Sequence, residues 1–224
     1  MLTKPFFDSI RPTLFQGAFS GEQVAALNAI DTAWAAHGDG QVDSYAYSLA
    51  TIYNEVGPTL QPHAEDLNYS APRLCQVWPS RFPTIAAAMP YAHNPQKLGN
   101  HVYANILGNG NEASGDGYKY RGHGYQTTGR QHFTTFAQRL GVDLVGRPEM
   151  LDGNVELAAA ALIIGMKEGI YTGKSFSSYL DHKDEPDAED LREFINARRI
   201  VNGTFNAQAI GHYALNFEHA LRAE

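Results

Sequence analysis

YANILGNGNEASGDGYKYRGHGYQTTGR, residues 103–130, carries seven glycines, four tyrosines and two arginines among several carboxamides. No ordinary core segment needs that composition. Glycine at this density lets the backbone take up positive φ and come close to a ligand. Tyr, Asn, Gln and Arg supply the flat faces and paired hydrogen bonds that sugars engage. The stretch reads as the floor of a polar cleft or as a Gly-rich surface loop, and composition alone weighs the two evenly.

The rest of the chain narrows the choice. Its 224 residues hold no low-complexity linker and no fixed-period repeat, so a single domain over 1–224 is expected. Lys plus Arg number 17 against 24 Asp plus Glu, a net charge of −7, which argues against a sequence-independent grip on nucleic acid or on an anionic membrane. A neutral polysaccharide stays open as partner, and the chain is expected to be monomeric. Cys75 is the sole cysteine, so it has no disulfide partner within the chain, and it reads as a small core residue. The nine histidines show no H-E-x-x-H or H-x-H spacing, and neither a phosphate-binding loop nor a G-x-S-x-G elbow occurs. The expectation is no metal and no cofactor. The opening MLTKPFFDSIRPTLF lacks the apolar run of a secretory signal, and LAAAALIIGM from Leu157 is too short to span a bilayer. A cytoplasmic protein that does not insert into membranes is therefore expected.

Helical periodicity dominates. Ser20 and Gln23 form a capping-box pattern ahead of Val24, Leu27, Ile30 and Trp34, with Gly38 as the stop. Ser44 can cap a second helix that ends before Gly57-Pro58, which places Glu55 at its C-terminal end. Ser70 heads a short helix through Trp78, and Pro83 and Asn94-Pro95 each mark a further start. Residues 131–140 read as a helix closed by Gly141, and residues 154–167 as a buried central helix. The run DHKDEPDAEDL reads as a solvated loop feeding a helix over about 188–201, and Asn206 caps the last one. With no long alternating or β-branched run, the class is mainly α, with at most a small β element near the Gly-rich stretch.

Two glutamates stand out as chemistry. Breaking a glycosidic bond commonly takes one protonated carboxyl to donate to the leaving oxygen and one ionised carboxylate to activate water or attack carbon. Glu55 sits at the end of an apolar helix, where burial and the negative end of the dipole would both raise its pKa. Glu65, ten residues on, lies in a polar loop that would keep it ionised. Taken alone, a glutamate at a helix end is more often a solvated residue.

The run DGYKYRGHGYQTTGR resembles the signature of the glycoside hydrolase family 19 chitinases and the phage endolysins related to them. His123 stands where that family usually has Arg, and the segment between Gly124 and Gln126 is one residue shorter. LATIYNEVGPTLQPHAEDLNYS resembles the A-x-x-H-E-T-x-x-T-M-Q-P segment of phage lysozyme-like enzymes and the E-N-L-N-Y-S segment of family 19 endolysins, with Asn54 in place of the usual His. ARRIVNGT resembles the family's R-x-I-N-G turn, and YTGKSFSSYL the T-G-K-x-L-x-x-Y segment of the phage enzymes.

By this resemblance Glu55 is the acid, Glu65 the base, and Thr128 the hydroxyl that helps hold the attacking water. Thr128 reads equally as a helix cap, since it precedes a helix. Gln126 matches a carboxamide that binds an N-acetyl group, and Tyr120, Asn68, Arg199 and Asn202 fall at substrate-binding positions. The resemblance implies a two-lobed lysozyme-like fold with a cleft, acting as an endolysin that hydrolyses β-1,4 links of peptidoglycan and reaches the cell wall only after something else opens the membrane. It implies inversion, with carboxylates about 6.5–9.5 Å apart. The alternatives are a chitinase, a lytic transglycosylase, against which Glu65 and Thr128 speak, and a non-catalytic glycan-binding relative.

Overall fold

A helix that the sequence pattern does not announce opens the chain: α1 (Lys4–Leu14). Pro12 masks it, yet Pro12 falls in the last turn, where only one backbone bond is lost. Phe6, Ile10 and Leu14, four residues apart, form its buried stripe. In the computed structural model, which describes residues 1–183 and 186–223, the next helix follows the reading closely. In α2 (Gly21–His37) the Ser20–Gln23 capping box forms in both directions, and Gly38 ends the helix by donating to the Trp34 carbonyl at 2.8 Å. Next, α3 (Val42–Val56) starts two residues before the expected Ser44 cap, with Gln41 at the cap position. Ser44 lies inside, its carbonyl taking the Ser48 hydroxyl at 2.8 Å, so the small polar residues of this helix satisfy its own backbone. Residues 43–52 are all buried, which makes α3 a core helix on every face.

Five shorter helices follow: α4 (Ala71–Val77), α5 (Ile85–Ala88), α6 (Pro95–Val102), α7 (Asp116–Lys119) and α8 (Arg130–Leu140). The helix expected to start at Pro83 begins two residues later, at Ile85, with Thr84 as its cap, accepting from Ala87 N–H at 3.2 Å. Asn94 caps α6 through Lys97 N–H, and Gly141 closes α8. Then come α9 (Val155–Lys167), α10 (Asp187–Ala197) and α11 (Ala207–Arg222). In α9 residues 158–166 are buried without interruption, as expected of a central helix. The mainly α class holds, with 62% helix, 1% strand and, among the described residues, no sheet. An isolated antiparallel bridge, His123 to Thr127, lies inside the Gly-rich stretch.

The chain divides into two compact units. The first comprises Met1–His63, Gly124–Gln126 and Met150–Glu224. Here α3 packs on α11, α2 on α9, and α10 on α11. The second comprises Ala64–His123 and Thr127–Glu149. Part of its core joins Leu67, Ala71 and Leu74 to Phe82, Leu98 and Val102, with Cys75 partly buried against them.

The charged run at 181–191 is not simply solvated. His182 Nδ1 lies 3.0 Å from both oxygens of the buried Asp43, and its N–H donates to the same carboxylate at 3.2 Å. Asp190 is buried as well. The part of the expected loop at Asp184 and Glu185 lies outside the described residues. Among those residues, no helix is long and apolar enough to cross a membrane.

Candidate functional site

The first unit holds Glu55 on the last turn of α3, part-buried, with one face tied down. Arg198 Nη1 donates to its Oε1 at 3.0 Å and Asn54 Nδ2 to the same oxygen at 3.3 Å. Among the described residues nothing bonds Oε2, which leaves that oxygen open. Arg198 is 3% exposed and sits in the single 3-10 turn Arg198–Ile200 that extends α10. Arg199 is not the arginine at Glu55. It is exposed and bonds Asn196, because adjacent residues of a 3-10 turn point about 120° apart. Asn202 is exposed too, its Oδ1 accepting from Gly203 N–H at 2.8 Å. Gln126, also in this unit, is half-buried, and among the described residues its carboxamide makes no hydrogen bond.

The second unit holds Glu65 far more tightly. The Tyr103 hydroxyl donates to both carboxylate oxygens, 3.0 Å to Oε1 and 2.7 Å to Oε2, and Gly122 N–H approaches Oε2 at 3.4 Å. The backbone is pinned beside them. Glu65 N–H donates to the Gly122 carbonyl at 2.7 Å, and Arg121 Nε donates to the Glu65 carbonyl at 3.1 Å. Burial, and after it the charge of Glu65, hold the Tyr103 phenol far above the ordinary tyrosine range. Tyr103 therefore stays a donor at every physiological pH.

Gly122 keeps open the space beside this carboxylate. A Cβ there would sit 3.3 Å from Glu65 Cβ, 3.7 Å from Glu65 Oε2 and 3.7 Å from Thr128 Oγ1. Carboxylate and hydroxyl thus flank one point and lie within twice the latter distance of each other. Thr128 is not a helix cap, since Gly129 holds that position and Asn109 Oδ1 takes the Arg130 N–H at 2.8 Å. Asn109 is buried, and its Nδ2 donates to the Tyr103 carbonyl at 2.9 Å. One carboxamide therefore couples the start of α8 to the tyrosine that holds Glu65. Gly129, at φ +83°, admits no side chain, because a Cβ would meet Leu107 Cβ at 2.3 Å.

Two of the expected substrate contacts lie in the second unit. Tyr120 is 2% exposed, packs on Phe133 and donates to the Val145 carbonyl at 3.0 Å. It is a core residue, so Tyr103 rather than Tyr120 reaches the carboxylate. Asn68 is exposed and lies 2.9 Å from His93 Nδ1. His123 is buried edge-on against Phe133, with Nε2 3.2 Å from the Lys119 carbonyl. Among the described residues no three His, Cys, Asp or Glu side chains gather as a metal site requires.

No family model matches the chain. It is 42% identical over 119 residues to a protein of Haemophilus influenzae named "Glycosyl hydrolase family 19 domain-containing protein". That match takes in 53% of this chain and 58% of the relative's length. The name of this relative agrees with the resemblance to glycoside hydrolase family 19, over a match of about half of this chain.

Proposed function

We propose that this chain is a glycoside hydrolase that cleaves β-1,4 links between N-acetylhexosamine units, and that its polymer is bacterial peptidoglycan. The observation that carries the reading is Glu65, a part-buried carboxylate fixed by Tyr103 with the Thr128 hydroxyl beside it. Such a group, oriented on both oxygens, suits a general base whose task is to take a proton from water. Glu55 is the acid: its free Oε2 delivers the proton to the leaving glycosidic oxygen while Oε1 stays on Arg198. Thr128 holds the water that Glu65 deprotonates. Water adds at the anomeric carbon as the C–O link breaks, which leaves Glu65 protonated and Glu55 ionised; Glu65 then releases its proton to solvent and Glu55 takes one up, restoring the pair.

The related protein's name supports the glycosidase class, and the likeness of the Glu65 segment to the endolysin pattern favours peptidoglycan over chitin. A turbidity assay on permeabilised bacterial cells, run beside colloidal chitin, separates the readings. Clearing of the cells with little release from chitin is expected. Release from chitin alone would make it a chitinase, and binding without cleavage of either polymer would make it a glycan-binding relative.

A further inference from the structure

Glu55 is tied to more than its own helix. The guanidinium that bonds its Oε1 also sends Nε to the carbonyl of Phe205 at 3.3 Å, so a single planar group separates the carboxylate from the backbone of residue 205. The following residue makes a second tie. Asn206, in the left-handed region at φ 60°, donates from Nδ2 to Asn54 Oδ1 at 3.4 Å, and Asn54 in turn reaches Glu55. Two successive residues of one turn are thus fastened to the residues that hold Glu55.

What this turn carries is the Phe205 ring, 77% exposed. Apart from Met1, no large apolar side chain among the described residues is more exposed. A lone exposed apolar residue is ordinary on a protein surface. This one differs in its mounting, because the backbone that bears it is registered to Glu55 through a buried arginine. The residues on either side, Thr204 and Asn206, line an open hollow of about 280 Å³ together with Ile195, Arg199, Ala207 and Gln208. An apolar face beside a hollow that sets Arg199, Asn206 and Gln208 among Ile195 and Ala207 suits a pyranose ring, whose C–H face is apolar and whose edge bears hydroxyl and acetamido groups.

We propose that Phe205 is a stacking platform for one N-acetylhexosamine ring of the glycan, a specificity contact that sets the position of the polymer relative to Glu55. This rests on the glycosidase reading above. The ring touches sugar and not the breaking bond, so its loss should appear in binding. The test uses Glu55→Gln protein to measure calorimetric binding of two probes, chitohexaose and peptide-free peptidoglycan strands, with and without Phe205→Ala. The exposed side chain makes the substitution benign for folding. An affinity loss of about tenfold is expected, the size found when a stacked aromatic is truncated. Phe205→Trp should restore it, and in the active enzyme KM should rise more than kcat falls. If Glu55→Gln protein binds a probe and Phe205→Ala binds it equally well, the platform is wrong while the function stands. If neither probe binds, the glycosidase reading fails and takes the platform with it.

Discussion

Exchanging the Glu55 carboxyl for a carboxamide keeps its shape and removes its proton, which isolates chemistry from packing. Glu55→Gln is expected to lose essentially all cell-wall lysis while keeping a native circular dichroism spectrum, since a general acid contributes about 10²–10⁴-fold. A folded variant with a tenth of wild-type lysis would end the assignment. Tyr103→Phe removes only the donor to Glu65 and keeps the ring, so it should cut kcat by about tenfold with KM little changed. An unchanged kcat would show that Gly122 and the backbone alone hold the base. Neither positioning residue was legible in the sequence. The Gly-rich stretch offers four tyrosines, and only the loop held by Asn109 decides that Tyr103, not Tyr120, meets the carboxylate. Arg198 and Arg199 are adjacent letters in one motif. A single tight turn buries the first and exposes the second.

Among the elements, those whose ends are written in side chains were the easiest to read. The capping box of α2, the Asn94 cap of α6 and the Gly141 stop of α8 are local chemistry and appear where the sequence puts them. The start of α3 and the whole of α1 depend on packing, so a cap rule misplaces the one and a proline conceals the other. Packing also explains Glu218, a wholly buried residue of α11 that no pattern marks. Burial first, then the nearby Asp190 of α10 and Asp43 of α3, raise its pKa above the ordinary 4.5, while Arg222 at 2.8 Å pulls the other way. A carboxyl whose folded pKa is raised stabilises the fold fully below 4.5 and loses that contribution as pH climbs through the folded value. Glu218→Gln, whose carbonyl can still accept from Arg222, should therefore raise Tm at about pH 7.5 and lose that advantage at about pH 4. An equal Tm difference at both pH values would contradict burial as the cause.

At the scale of the whole molecule, the helical class follows from periodicity alone. The division into two units does not, because the chain leaves the first unit near His63, returns for Gly124–Gln126 and comes back for good only at Met150. No linker composition marks such a crossing, and the last one falls inside the short 3-10 turn Pro148–Leu151. The two proposed carboxyl groups fall in different units, Glu55 in the first and Glu65 in the second. If Glu65 takes a proton from water held by Thr128, the oxygen that arrives at the anomeric carbon comes from solvent and enters opposite the leaving group. Hydrolysis of a β-1,4-linked oligomer in ¹⁸O-labelled water should then give a reducing end that carries the label and is α-configured in NMR spectra taken before mutarotation. A β-configured product would mean that a carboxylate attacks carbon directly, which removes Glu65 from the role of base. An unlabelled anhydro product would mean that no water takes part, and a single acid would suffice. Glu65→Gln adds an internal control: with the base gone, both the labelled product and the rate should fall together, by about 10²-fold or more.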